Sequence, residues 1–325
     1  MSKLLWIQSG GCGGCSQSLL LQPDLMPRLQ RLGVEMVWHP ACSVPSGPDF
    51  WAIVDGFLAG REPLDYLCIE GSVLTANGGA AHRLSGRPGM MSDLIGELSQ
   101  VAGNLLAIGS CTAFGGMSAV GPNPAGAMGL QYDNKHLGGF LGAKYRSRSG
   151  RPVINLAGCA IHAGWFADCM SFLVNGELVL DEFNRLNFYT NHLVHHGCPR
   201  NEYYEYKSSA GEANCMGCLM ENFGCKGTQA RGDCNIRLWP GGGSCLRGGY
   251  SCIDCTAPGF QQPGHPFLET AKVAGLPSTL PTDMPKAWFV ALSALSKAAT
   301  PERVRTNANS PFIRVPPNQP KKPTK

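Results

Sequence analysis

Apolar residues in the first half of the chain fall in short runs, and longer stretches of helical pattern lie between them. The runs Lys3–Gln8, Val34–Trp38, Leu64–Ile69, Asn104–Gly109 and Pro152–Ala157 read as strands. Leu25–Leu32, Phe50–Leu58 and Asp93–Val101 read as helices between them. A last helix over Ile161–Val174 sets Ile161, Trp165, Cys169 and Phe172 on one face, a stripe that core packing explains best. This alternation predicts an α/β domain with a doubly wound parallel sheet.

From His192 to about Pro266 the periodicity fades, and glycine and cysteine recur every few residues. Such a segment builds a poor apolar core and needs another source of stability, which metal ligation supplies because binding free energy becomes folding free energy. Beyond it, Lys286–Ala299 is an alanine-rich helix with Trp288, Leu292 and Leu295 on one face, Thr282-Asp283 as candidate caps and Pro285 near the first turn. Pro311 to Lys325 is rich in proline and lysine and reads as a loose tail. The expected division is 1–188, 189–270 and 271–325.

Charge sharpens this picture. Only 15% of residues are charged, against about 25% in an average soluble protein, which suggests that a partner covers much of the surface. The net charge of +4 is unclustered apart from Lys321, Lys322 and Lys325, so nucleic-acid binding has little support. The opening Met-Ser-Lys-Leu-Leu-Trp-Ile-Gln has no basic region followed by a long apolar run, so a reducing cytoplasm is expected, where clustered cysteines are more often metal ligands than disulfides.

The cysteines carry the chemistry. Cys12-Gly-Gly-Cys15, Cys111 and Cys159 each follow the carboxyl end of an expected strand, where open α/β sheets bind ligands. Residues about a hundred positions apart can therefore meet at one sheet edge. His195-His-Gly-Cys198 follows, then Cys218, Cys225, Cys234, Cys252 and Cys255. Thiolates are the standard ligands of iron–sulfur clusters, each of which takes three or four, so the pattern suits a row of clusters passing single electrons. Taken alone, Cys12-x-x-Cys15 would also suit a redox dithiol or a zinc knuckle.

The whole pattern resembles the small subunit of nickel–iron hydrogenases, signal-less uptake or sensing branch. Trp6-Ile-Gln-Ser-Gly-Gly-Cys12-Gly-Gly-Cys15-Ser16, Glu70-Gly71-Ser72, Gly109-Ser-Cys111-Thr-Ala-Phe-Gly115-Gly116 and Asn155-Leu-Ala-Gly-Cys159 carry the likeness in the first half. His195-His-Gly-Cys198-Pro-Arg200, Cys218 to Cys225-Lys-Gly227, Cys234 and Cys252-Ile-Asp-Cys255 carry it in the second. The resemblance implies a flavodoxin-like domain followed by a mostly irregular, cluster-stabilised one. It implies three clusters, of the 4Fe-4S or 3Fe-4S type. Cys12, Cys15, Cys111 and Cys159 would bind the proximal one; Cys234, Cys252 and Cys255 the medial one; and His195, Cys198, Cys218 and Cys225 the distal one. A neutral imidazole in place of a thiolate raises potential. The nickel–iron centre would lie in a large-subunit partner, with heterodimers forming a higher oligomer.

This chain departs from the family in places. Gln17 stands where glutamate is common, and the Cys218–Cys225 gap is one residue longer. Cys245, in Gly241-Gly-Gly-Ser-Cys245, replaces a usual proline and is expected to complete a four-iron medial cluster. The extra proximal cysteines of oxygen-tolerant members fall at Gly14 and Gly116 and are absent. Cys68 and Cys169 are expected as buried packing residues, His192 and His196 as structural or solvent-facing, and Glu70 either as a supporting or proton-handling group beside the proximal cluster or as a plain loop carboxylate. Cys42 has no assigned role, and Cys215 is a competing distal candidate.

The expected function is electron relay in a cytoplasmic enzyme, peripherally associated with the membrane at most, that oxidises dihydrogen and feeds a quinone, a cytochrome or another acceptor. The alternatives are a hydrogen sensor signalling to a kinase and the cluster-bearing component of a respiratory NADH dehydrogenase.

Overall fold

In the computed structural model, which describes residues 1–264 and 266–311, five parallel strands form one sheet. They are β1 (Ser2–Gln8), β2 (Val34–Trp38), β3 (Leu64–Glu70), β4 (Ala102–Ile108) and β5 (Ile154–Leu156), in the order β2-β1-β3-β4-β5. This is the flavodoxin-like winding, with its switch point between β1 and β3.

Strand alternation builds the two layers. Leu4 and Trp6 of β1, Cys68 of β3, and Leu106 and Ile108 of β4 face one side. There they pack on α1 (Gly14–Leu20), α2 (Leu25–Arg31) and α6 (Ala163–Asn175). Leu5, Ile7, Leu67, Ile69, Leu105 and Ala107 face the other, against α3 (Pro48–Leu58) and α4 (Met91–Val101). Both faces are covered, so the strands read as continuous apolar runs. A short α5 (Gly109–Phe114) leaves β4 directly. Cys68 and Cys169 are fully buried in the first layer, as expected, while Phe172 is only half-buried.

After Asn175 the described chain has only short elements until α7 (Lys286–Ala298) and α8 (Glu302–Ala308). Residues 271–311 pack onto the irregular segment rather than standing apart. Leu280 and Phe289 share a core with Cys225 and Cys252, and Val304 and Ala308 pack with Tyr203. The expected Thr282-Asp283 cap does not form: Pro285 occupies the N-cap without a side-chain hydrogen bond. Proline has no side-chain oxygen to accept the first N–H groups of the helix, and Thr282 and Asp283 lie before the N-cap position. Of the proline-rich tail, Pro311 is described and pairs with Cys215; Lys321, Lys322 and Lys325 lie outside the described residues.

Candidate iron–sulfur sites

β1, β4 and β5 end side by side or one strand apart, and each feeds a cysteine segment. Cys12 and Cys15 lie on the loop and first turn of α1, Cys111 on α5, and Cys159 just past β5. The four thiols converge. Cys15 is within electrostatic reach of Cys111 and Cys159, and both Cys111 and Cys159 are within reach of Cys12. Burial raises the Cys15, Cys111 and Cys159 thiols, the last to about 11, and the facing sulfurs raise them further. Four thiolates cannot share such a space without positive charge among them, which iron supplies.

The backbone is shaped around these sulfurs. Gly14 donates to Cys12 Sγ at 3.4 Å, Ile161 donates to Cys15, and Met117 and Ser118 donate to Cys111. Gly109 has φ +86°, and a Cβ there would lie 2.6 Å from Cys15 Sγ; at Gly116 it would lie 2.7 Å from Cys111 Sγ. In this chain, glycine at both positions leaves that space to the sulfurs. Cys12 is exposed, so the group opens to the surface.

A second group lies in the irregular segment. His195, Cys198, Cys218 and Cys225 line one cavity with Arg200, Tyr204 and Leu246. Burial pushes Cys198 up to about 11 and Cys218 to about 12, with Cys225 raising each further. The backbone N–H groups of Arg200, Met220, Gly227 and Cys252 donate to these sulfurs. Burial pulls His195 down, which leaves a neutral imidazole available as a ligand. Its ring meets Tyr204 edge-on at 4.3 Å. His192 and His196 are solvent-facing, as expected, and the buried Cys215 does not line the cavity.

Cys234, Cys245, Cys252 and Cys255 form the third group. Burial raises Cys234 to about 12, with Cys245 adding to it, and burial raises Cys255 well above the usual thiol range, with Cys234 and Cys245 adding to it. Cys252 is coupled to Cys255 on one side and to Cys225 on the other. The Gly241–Ser244 turn brings Cys245 in: Ser244 Oγ donates to Asn235 Oδ1 at 2.7 Å, beside Cys234. Asn235 is held in turn by Val194 O at 2.7 Å.

The donor sets are of the kind that iron–sulfur clusters take, four thiols in the first and third groups and three thiols with an imidazole in the second. Among the described residues, no three His, Cys, Asp or Glu groups are placed to hold one metal ion.

Residues 189–268 match the family model for the C-terminal part of the NiFe/NiFeSe hydrogenase small subunit, and residues 12–173 match that for the 20 Kd subunit of NADH ubiquinone oxidoreductase. The second half decides between the two. The chain belongs to the nickel–iron hydrogenase small subunits. It is 28% identical over 305 residues to the F420 non-reducing hydrogenase II small subunit of Methanosarcina mazei, covering 85% of this chain and 77% of that one. It is 29% identical over 284 residues to the periplasmic [NiFe] hydrogenase small subunit 1 of Nitratidesulfovibrio vulgaris, covering 82% of each. The solved actinobacterial-type NiFe-hydrogenase from Ralstonia eutropha H16 aligns over 99% of this chain and 94% of its own, at 26% identity and a TM-score of 0.74. Hydrogenase small subunits carry three iron–sulfur clusters and pair with a large subunit that holds the nickel–iron centre.

Several residues around these groups carry no signal of their own in the sequence. Arg200 is visible there only as part of a motif; it is buried, donates to Cys215 O at 2.5 Å and Gly217 O at 2.7 Å, and offsets the charge of Cys198, Cys218 and Cys225. Ser110 accepts from Gly158 N at 2.9 Å and donates to Cys255 O, tying the first group to the third. Nothing but the fold reveals that link.

Proposed function

We propose that this chain carries electrons through proximal, medial and distal clusters, in that order, from the partner's nickel–iron centre outward. Cys12, Cys15, Cys111 and Cys159 would hold the proximal cluster. Cys234, Cys245, Cys252 and Cys255 would hold the medial one, and His195, Cys198, Cys218 and Cys225 the distal one. When bound, the clusters accept and release single electrons at iron.

The observation that carries this reading is the linkage of the three thiol groups. Cys255 of the medial group accepts the N–H of Cys159 of the proximal group. Cys225 of the distal group accepts the N–H of medial Cys252. Each adjacent pair is thus joined by one backbone-to-sulfur hydrogen bond, with the medial group in the middle. The exposed Cys12 end faces the large subunit, and the imidazole of His195 gives the distal end the higher potential expected of an exit.

Cys245 is the chain-specific part of the assignment. Cys245→Pro is expected to leave a three-iron medial cluster, because a corner without its thiolate tends to lose iron. Iron content should fall by about one atom in twelve, with a new three-iron signal in the oxidised complex. Cys245→Ala checks that loss of the thiol, rather than the ring of proline, is responsible. Unchanged spectra in both variants would place Cys245 outside the ligand set.

The physiological acceptor in this reading is a quinone or a cytochrome, with signalling to a kinase as the sensing alternative. A cytoplasmic location belongs to the same reading. Among the described residues, no helix is long and apolar enough to cross a membrane.

The helix α7 supports assembly into a pair of heterodimers. Trp288 (64%), Leu292 (43%) and Leu295 (69%) are exposed along it, while Phe289 anchors it to the distal region. Exposed apolar faces of this kind mark interfaces. Removing the helix would also withdraw Phe289, so Trp288→Ser with Leu295→Ser is the cleaner test. Light scattering should then show a complex of about half the mass, with hydrogen-dependent dye reduction retained. A complex of unchanged mass would remove this face from the assembly.

A further inference from the structure

Glu70 ends β3 beside the proximal group, and its surroundings are unusual for a buried carboxylate because four donors point at it. Oε1 accepts the N–H of Cys15 and the N–H of Ser16, each at 3.1 Å. Oε2 accepts Trp6 Nε1–H at 3.2 Å and a short bond with Ser16 Oγ. His39 fixes the direction of that last bond. Its Nδ1 accepts the N–H of Ala41 at 3.1 Å, so the ring proton sits on Nε2, which faces Ser16 Oγ at 3.3 Å. The hydroxyl therefore accepts from His39 and gives its own proton to Glu70. Trp6, Ser16, His39 and Glu70 are all buried, and the His39 ring packs on Trp6 at 4.9 Å.

Burying a carboxylate costs several kcal/mol unless hydrogen bonds compensate for lost water, and four donors do so here. Three of these partners, the N–H groups of Cys15, Ser16 and Trp6, can only donate, and the Ser16 hydroxyl that meets His39 gives its own proton to Glu70. The charge thus retained lies in a region of low dielectric, where its reach is long. It lies directly against the proximal group, since Oε1 holds the N–H of Cys15 itself at 3.1 Å. It also takes the Cys15 and Ser16 N–H groups that could otherwise donate to cluster sulfur. Fewer donors and one more negative charge both favour the oxidised cluster.

We infer that Glu70 is the positioning residue that lowers the potential of the proximal cluster, and that Ser16 and His39 form the support that keeps its carboxylate charged. This inference rests on the proximal cluster assignment above.

The test uses the complex with its large subunit. Iron content and the reduced proximal signal are recorded first, then the signal is titrated against potential. Glu70→Gln keeps the shape and removes the charge. At fixed potential the reduced-to-oxidised ratio of the proximal cluster should rise about tenfold (59 mV for one electron), with the medial and distal midpoints unmoved. Glu70→Asp keeps the charge and should stay near wild type. A missing proximal signal in the wild-type complex would sink the cluster assignment. A present signal with an unmoved midpoint in Glu70→Gln would sink only the role of Glu70, and so would an equal shift in Glu70→Asp. If Glu70→Gln does not assemble, redox-difference infrared spectra of the wild-type complex decide. A shifted carboxylate band on proximal reduction supports the charged form, and a protonated-carboxyl band assigned to Glu70 by loss in Glu70→Asp overturns it.

Discussion

Gly109→Ala is expected to remove the proximal cluster and with it nearly all hydrogen-dependent dye reduction. Two costs fall on the same atom. Alanine at φ +86° is strained by about 1–2 kcal/mol, and its Cβ would sit 2.6 Å from Cys15 Sγ. Crowding of this kind costs about 1–3 kcal/mol more. The backbone at Gly109 is fixed from both sides, by β4 before it and the rest of α5 after it, so the sulfur is the part that yields. A displacement of about 1 Å in a reacting group commonly costs about 100-fold in rate, and a loss of at least that size is expected. Gly33→Ala is the matched control: its φ of +69° brings similar strain, yet nothing lies within 4 Å of the added carbon. That variant should keep its activity. Equal activity in Gly109→Ala and Gly33→Ala would show that Cys15 is not held where the proximal ligand set requires it.

The second large effect is expected at the exit. His195→Cys exchanges a neutral ligand for a thiolate in a buried site, and so adds negative charge to the distal cluster. Exchanging two histidines for two cysteines separates two-iron clusters by hundreds of millivolts, so a single exchange should lower the distal potential by on the order of 100 mV. At 59 mV per decade for one electron, the medial-to-distal step becomes roughly fiftyfold less favourable. Dye reduction should slow accordingly, while hydrogen–deuterium exchange at the nickel–iron centre continues. Equal loss of both activities would mean that His195 acts on assembly rather than on electron exit.

These effects depend on features that differ in how far the sequence shows them. The sheet was legible because each strand is buried on both faces and reads as an unbroken apolar run; Val34–Trp38 was placed to the residue. The thiol groups were legible because cysteine has few roles and its spacing repeats known ligand patterns. The short α5 was not: it begins at a positive-φ glycine and is held by Cys111 and its neighbours, with no apolar period of its own. The linkage of Cys159 to Cys255 and of Cys252 to Cys225 runs through backbone N–H groups, which every residue type supplies alike. His39 was also silent. A single histidine after a strand has no pattern, and only the placement of Ala41, Ser16 and Trp6 around it gives its tautomer a consequence.

The relay itself is tested most directly by purifying the protein with its natural large subunit and determining iron, sulfide and zinc together with the spectra of the hydrogen-reduced complex. About twelve iron atoms in this chain, with three cluster signals that all become reduced under dihydrogen, are the expected result. Fewer than three clusters, zinc in place of iron at any of the three thiol groups, or a cluster that dihydrogen does not reduce would contradict it.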